Sequence, residues 1–509
     1  MNMRYLLPCA FVMILGLSSC GDEINIFPVE NNTADQFYSS EYEMQQAVVG
    51  LYARLGRNGT STDYPTDMYY EASESRSDNL YYATMANAQR DQVDMRNFQC
   101  TDNTALNTSI YARLYQIITD ANTLLEKSNE KYTRFRAEAR FMRALAYFDL
   151  VRAYGPQPIL DHVVSASEAK KYDRSPIADV YQFIIADLQA ASQALDPFYT
   201  GKEAGRVGSV AAQCLLGYVY VTMAGYPLND RQAYAKAVET LSPIMEQVKG
   251  RFANNFDDVF NLNKENKYDL FSVQFASGNQ GLGSSLPGYI TSSSGKSTCF
   301  PEWVYSSFSQ EGQDFRLDTL LVNKMVADGD KRLSSIAQGF WTTVNHGYTK
   351  SDTLAYFDDR CVITKFLVKD NTNNMIKAWN DYPLNFPMLR PADAYLLYAE
   401  ALIATGKSTE AKPWINSIRK RAGLPDLENP TITDIMNERR REFLGEGKRY
   451  FDLVRQGKDI FLSTLQAFSD HYRHEQIMGA SKPQEKDMLL PIPLAVMNIQ
   501  STWKNNDGY

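Results

Sequence analysis

The segment Arg136–Tyr154 constrains the fold of this chain more than any other. Ala137, Phe141, Ala144, Phe148 and Val151 fall on one stripe at helical spacing, with Arg136, Arg140, Arg143 and Asp149 off it, the pattern of an amphipathic helix with one face turned to a core. Gly155-Pro156 stops that helix, and Ser175-Pro176 opens another, with Val180, Ile184 and Leu188 at i, i+4 and i+8. Similar stripes run through Glu41–Leu55, Ser109–Leu125, Ser209–Met223 and Tyr234–Val248, and resume through Ala392–Ala404, Ser408–Arg421 and Thr433–Gly445. Short turns carrying Gly or Pro join them, such as Gly225-Tyr226-Pro227 and Thr405-Gly406. Small–large alternation, as at Ala399, Leu402 and Ile403, suits closely packed helical hairpins. A single hairpin cannot bury both stripes, so such pairs stack. The expectation is a mainly α chain, a tetratricopeptide-like helical-repeat scaffold of roughly four pairs without a strict ~34-residue period.

Residues 251–389 break the pattern. They are rich in Gly, Ser, Asn, Asp and aromatics and contain two strand-like runs, Leu270–Phe275 and Cys361–Leu367. Long irregular segments held on a rigid frame usually carry function. The expected organisation is a signal peptide at 1–19, a tether at 20–38, a helical-repeat part at 39–250, a large loop-rich insertion with short strands at 251–389, and a helical part at 390–509. The insertion is the candidate ligand-binding region.

The first twenty residues read as a secretory signal. Arg4 supplies a positive start and Leu6–Leu17 an apolar run too short to span a bilayer comfortably. The run ends in Leu17-Ser18-Ser19-Cys20-Gly21, which resembles the lipobox of bacterial lipoproteins, whose cysteine becomes the lipidated N-terminus. Lipid on Cys20 would anchor the chain to a membrane without spanning it. Cleavage removes Arg4 and no acid, so the mature chain is one charge more acidic than the −8 of the full sequence.

Composition excludes several classes. With 44% hydrophobic and 12% aromatic residues the chain is too polar for a multi-span membrane protein and too apolar for a disordered one. Its acidic balance argues against nucleic acid as a partner. Tyrosine is abundant, 32 against 5 Trp, which suits wet aromatic contact surfaces. Cys100, Cys214, Cys299 and Cys361 are scattered and assign no disulfide pairing or metal spacing; Cys214 sits in an apolar helical stretch and reads as core. Of four histidines, only His471 and His474 are close in sequence, and no carboxylate pattern beside them resembles a zinc site. No phosphate loop or nucleophile elbow is present. The expectation is no enzyme, no cofactor and no metal.

An ordered set of motifs resembles the SusD/RagB family. Arg136-Ala-Glu138-Ala-Arg140-Phe-Met-Arg143 through Tyr147-Phe-Asp149-Leu-Val-Arg152-Ala-Tyr154-Gly155-Pro156 is similar to that family's most characteristic helix. Arg390-Pro-Ala-Asp393 with Tyr398-Ala-Glu400, and Ile415-Asn416 through Arg419-Lys-Arg421-Ala-Gly423, fit it too. So do Glu438-Arg439 through Glu442, Glu446-Gly447-Lys-Arg449 through Asp452 and Arg455, then Leu490-Pro491-Ile-Pro493 and the Asn505-Asn506-Asp507-Gly508-Tyr509 ending. Asp22-Glu23 resembles the acidic tag of surface-exposed Bacteroidetes lipoproteins. The resemblance covers essentially the whole mature chain. It implies a surface-exposed, lipid-anchored outer-membrane protein that binds oligosaccharide and acts with a SusC-like TonB-dependent transporter. The alternative within the family is oligopeptide capture, as in the RagB branch. From a different class, a structural or adhesive surface lipoprotein is the alternative.

Sugars are bound by stacking on aromatic faces, with Asn, Asp and Arg meeting the hydroxyls. Two regions offer that mixture. Tyr64–Asn97 contributes Tyr69, Tyr70, Arg76, Asp78, Asn79, Tyr81, Tyr82 and Arg90; the insertion contributes Trp303 with Tyr305, Trp341, Tyr356, and Trp379 with Asn380. The first region lacks Trp, which leaves room for peptide or a small charged sugar read by Arg76 or Arg90. The crowded charges Glu438, Arg439, Glu442, Glu446, Arg449, Asp452 and Arg455 read instead as ion pairs that fix helix ends and neighbouring loops.

Overall fold

A computed structural model describes residues 37–57, 59–84, 90–290, 314–338, 361–368, 376–474, 482–500 and 502–509. Helix α1 (Glu41–Ala53) begins at a capping box: Ser40 Oγ accepts from the Glu43 N–H, and the Glu43 carboxylate accepts from the Ser40 N–H, satisfying donors that a helix start leaves open. Strand β1 (Leu80–Thr84) and the short α2 (Arg90–Arg96) follow. Then come the long helices α3 (Ala105–Lys127) and α4 (Thr133–Tyr154), the single turn α5 (Ala166–Ala169), and α6 (Ile177–Ala194), α7 (Ser209–Met223), α8 (Ala233–Leu241) and α9 (Met245–Lys249). Consecutive long helices pack on one another: α3 on α4, α4 on α6, α6 on α7 and α7 on α8. These are the expected helical hairpins.

Two details differ from the sequence pattern. Helix α4 is buried nearly all round, not along one stripe, because α1, α3 and α6 all pack against it. Its charges are therefore held internally: Arg143 grips Asp187 with two hydrogen bonds of 2.7 and 2.8 Å, and Arg152 pairs with Asp149. The stretch Tyr234–Val248 is two helices, separated by a tight turn at Ser242–Ile244, where Pro243 has no N–H to continue the ladder.

The insertion supplies β2 (Phe271–Val273), α10 (Leu286–Ile290), β3 (Asp314–Leu317), α11 (Thr319–Ala327), β4 (Ile336–Gln338), β5 (Cys361–Ile363) and β6 (Phe386–Leu389). Together with β1, its strands form three antiparallel pairs among the described residues, β1 with β3, β2 with β6 and β4 with β5. The first pair ties the insertion to the N-terminal segment, setting Leu80 opposite Leu317. The chain ends with α12 (Pro391–Ala404), α13 (Ser408–Arg421), α14 (Ile432–Glu442), α15 (Arg449–Arg455), α16 (Lys458–His474) and α17 (Leu494–Ile499). A hydrophobic cluster runs from Met44 on α1 to Ile492 beside α17, so frame and insertion share one interior.

Candidate functional site

Positions 63–79 thread through the interior instead of over the surface. Pro65–Glu71 forms a wide π-type turn, a geometry common at functional sites. Its carboxylates are each held. Asp67 lies 3.3 Å from Arg113, and Glu71 accepts from Arg96 Nε and Nη2 at 3.0 and 2.6 Å. Glu74 accepts from the backbone N–H of Gly445 and Gly447, at 2.7 and 2.9 Å, and from the Asn79 amide at 2.8 Å. Burial pushes Asp67 up to about 7, only partly offset by Arg113, with Asp63 and Glu71 adding to the rise.

Six of the expected contact residues belong to this interior, Tyr69 and Tyr70 on the π-type turn itself and four beyond it. Arg76, 2% exposed, donates to the Asp487 carbonyl at 2.9 Å and lies over the Tyr450 ring at 4.6 Å. Asp78 accepts two bonds from Arg449, at 2.7 and 2.9 Å, and stands 3.2 Å from Arg440. Burial raises its pKa, yet the Arg440 and Arg449 guanidinium groups outweigh that and hold it down at about 2. Asn79 bridges Glu74 and Arg440. Tyr81 stacks on Tyr472 with ring centres 4.0 Å apart. These side chains are spent on internal partners and do not reach solvent, so they support the surface above them from below. The reason is tertiary: the motif arginines of α14 and α15 enter from some 360 positions downstream and turn an apparent loop into core. Tyr82 stands on β1 and Arg90 opens α2, but their side chains lie outside the described residues, as do Trp303, Tyr305, Trp341 and Tyr356 altogether.

The charged motif is an internal brace. Arg332 meets Asp330, Glu438 and Glu442; Arg390 meets Glu442 and Glu446; Lys365 meets Glu446; Arg439 and Arg455 share Asp452, and Arg455 also holds Glu400. Burial would raise Glu446, but Arg390 and Lys365 force it down to about 2. Gly447 shows how tightly this brace is seated against the N-terminal segment. Its φ is +68°, and a Cβ there would stand 2.2 Å from the Tyr69 carbonyl oxygen.

A different set of residues collects where the N-terminal segment meets the insertion. The Asp63 carboxylate accepts from Ser284 Oγ and the Ser285 N–H, fixing the start of α10. On α10, the Tyr289 hydroxyl accepts from Gln92 of α2 at 3.2 Å, and its ring lies 5.4 Å from that of Trp379. Asn380 donates to the Ser61 carbonyl, and Arg57 donates to the Asn380 carbonyl at 2.8 Å and to the Thr60 carbonyl at 3.3 Å. Trp379 and Asn380 carry a signal in the sequence. Arg57, Gln92 and Tyr289 carry none, because only tertiary contact brings them there.

Two clefts lie elsewhere. One of about 820 Å³, between the ends of α4, α6 and α7 and the C-terminal tail, is lined by Arg152, Arg174, Tyr226 and Lys486. One of about 780 Å³, between α11, α14 and α16, is lined by Lys324, Arg419, Arg440 and Arg441. In the second, each of these cations already faces a carboxylate: Asp328, Glu438, Asp318 and Asp328 respectively. Among the described residues no group of three or more His, Cys, Asp or Glu could hold a metal ion, and no helix is long and apolar enough to cross a membrane. Cys100 and Cys214 are buried free thiols, and burial lifts the Cys100 thiol to about 11.

Comparison with known proteins covers most of the chain. The family model described as SusD family matches residues 259–509, and one described as starch-binding associating with outer membrane matches residues 29–221. The starch-binding protein SusD of Bacteroides thetaiotaomicron is 23% identical over 571 residues, covering 99% of each chain. The crystal structure of a SusD homologue from Bacteroides thetaiotaomicron VPI-5482 superposes with a TM-score of 0.78 at 22% identity, covering 94% of this chain and 98% of that one. Surface glycan-binding protein A from the same species, in complex with laminarihexaose, gives 0.73 at 18% identity, covering 92% and 99%.

Proposed function

Because the chain belongs to the SusD family, we propose that it is a non-catalytic, surface-exposed outer-membrane lipoprotein that captures oligosaccharide for import. A SusC-like TonB-dependent transporter is its proposed partner, and lipid on Cys20 its proposed anchor. The observation that carries this reading is the end-to-end match to a starch-binding protein, over 99% of both chains. The site chemistry agrees with it. Trp379, Asn380 and Arg57, only partly buried, form an aromatic and amide-rich seam with Tyr289 and Gln92 buried behind it, the composition that meets a sugar's apolar face and its hydroxyls. The buried carboxylates nearby hold arginines or backbone N–H groups, and none is placed as a free acid–base pair. Contact by Tyr82, Arg90, Trp303, Tyr305 and Trp341 is part of the proposal, while Arg76, Asp78, Asn79 and Tyr81 serve it only as interior support.

The test is a glycan array followed by calorimetry on the protein lacking residues 1–20, with peptide pools in parallel. Saturable binding of an oligosaccharide supports the reading. Binding of peptides but of no glycan overturns it in favour of peptide capture, and binding of neither favours a structural role.

A further inference from the structure

Trp379 is only partly buried, and its indole N–H donates to no group among the described residues. Its position is nevertheless fixed. The Tyr289 ring supports it at 5.4 Å, inclined by 55°. The backbone of α10 presses on it at Gly288, where a Cβ would come within 2.0 Å of the Trp379 carbonyl oxygen and 3.2 Å of its ring. The neighbouring groups are equally held and equally unspent. Arg57 is anchored through Nε and Nη1 on the carbonyls of Thr60 and Asn380, which leaves Nη2 without a partner among the described residues. No described carboxylate lies within ion-pair distance of it, in contrast to the arginines of the brace. Asn380 donates its amide N–H to Ser61 and keeps its side-chain oxygen available.

From this we infer that Trp379, Arg57 and Asn380 form a subsite for one pyranose unit, the ring resting on Trp379 and a pair of adjacent hydroxyls meeting the Arg57 Nη2 and the Asn380 oxygen. A pyranose presents an apolar C–H face and a polar rim, which is the complement of an aromatic surface flanked by a donor and an acceptor. Preorganisation favours binding, because these side chains lose little further freedom when the sugar arrives. The uncompensated guanidinium is the orienting group, and Tyr289 and Gly288 act through Trp379 as positioning residues. This inference rests on the oligosaccharide reading above and adds to it the residues that read the sugar.

The experiment titrates wild-type protein, Trp379→Ala, Trp379→Phe and Arg57→Gln with the tightest-binding oligosaccharide of the array, with laminarihexaose, a xylogluco-oligosaccharide and starch always included. Thermal melts check folding of each. Trp379→Ala is expected to weaken binding at least ~10-fold, Trp379→Phe to retain most of it, and Arg57→Gln to weaken it ~5-fold, since a tenfold loss corresponds to only about 1.4 kcal/mol. Ligand-induced change in tryptophan fluorescence should fall in Trp379→Phe. If Trp379→Ala does not fold, Arg57→Gln and the fluorescence of Trp379→Phe decide. Wild-type binding with all variants within twofold overturns the subsite and leaves the oligosaccharide reading intact. Absence of wild-type binding to any glycan overturns both.

Discussion

Asp78→Asn separates an internal support from a ligand contact. Asp78 is 4% exposed, and both its carboxylate oxygens accept from Arg449, with Arg440 at 3.2 Å. Holding it at about 2 instead of its ordinary 3.8 corresponds to roughly 2–3 kcal/mol, at about 1.4 kcal/mol per tenfold in proton affinity. Breaking a buried pair while leaving the cation inside costs about 3–5 kcal/mol. Arg440 keeps Asp318 at 2.9 Å, which places the expected loss at the lower end, about 2–4 kcal/mol. Because the folded-state pKa is depressed, this stabilisation is fully present above the unfolded value and is lost as pH falls through the folded one. The gap between wild type and Asp78→Asn should therefore be wide at neutral pH and close between about pH 4 and pH 2. Urea denaturation followed by circular dichroism at several pH values measures it, with oligosaccharide affinity measured well below the melting temperature. Affinity should stay within about twofold, a change of under half a kcal/mol. A loss of less than about 1 kcal/mol, or a stable variant that no longer binds, would refute the reasoning.

Gly447→Ala should destabilise severely, by about 3 kcal/mol or more, since both its positive φ and the Tyr69 carbonyl oppose a Cβ; an unchanged melting temperature would show the contact is not tight. Asp67→Asn should gain on wild type as pH rises from about 4 to 7, because a carboxyl whose folded-state pKa is raised to about 7 loses stability over that range and the amide does not. Parallel stability curves for the two proteins would contradict this. Cys20→Ser should abolish lipid attachment, read as loss of partitioning into the detergent phase; partitioning that persists as a lipoprotein would exclude Cys20 as the anchor.

The legible part of this molecule is the part set by near neighbours. The stripe at Ala137, Phe141, Ala144, Phe148 and Val151 specifies a helix because residues three and four apart share a face whatever lies beyond them, and α4 is there. The stripe Tyr234–Val248 reads as one helix because its apolar pattern runs across Pro243, where the chain in fact breaks into two. The strand-like runs at Leu270–Phe275 and Cys361–Leu367 contain β2 and β5, but nothing in them names β6 or β4 as partners. The charges of Glu438 to Arg455 read as a brace because so many opposed ions cannot be buried unpaired, and the pairs are formed.

Burial of a polar residue is another matter, because it is decided by what arrives from elsewhere in the chain. Arg76, Asp78, Asn79 and Tyr81 have the composition of a wet sugar-binding loop, and nothing local to them distinguishes that from a satisfied interior. Arg440, Arg449, Asp487 and Tyr472 close over them, so polarity signals a satisfied core there and not a surface. Conversely Arg57 and Tyr289, unremarkable in sequence, meet Trp379 and Asn380 only because the insertion folds back onto the N-terminal segment. Local pattern specifies a helical frame, a charged brace and a family. Which aromatic and polar groups face solvent is set by the fold as a whole, since exposure depends on contacts between positions hundreds of residues apart that no local periodicity encodes.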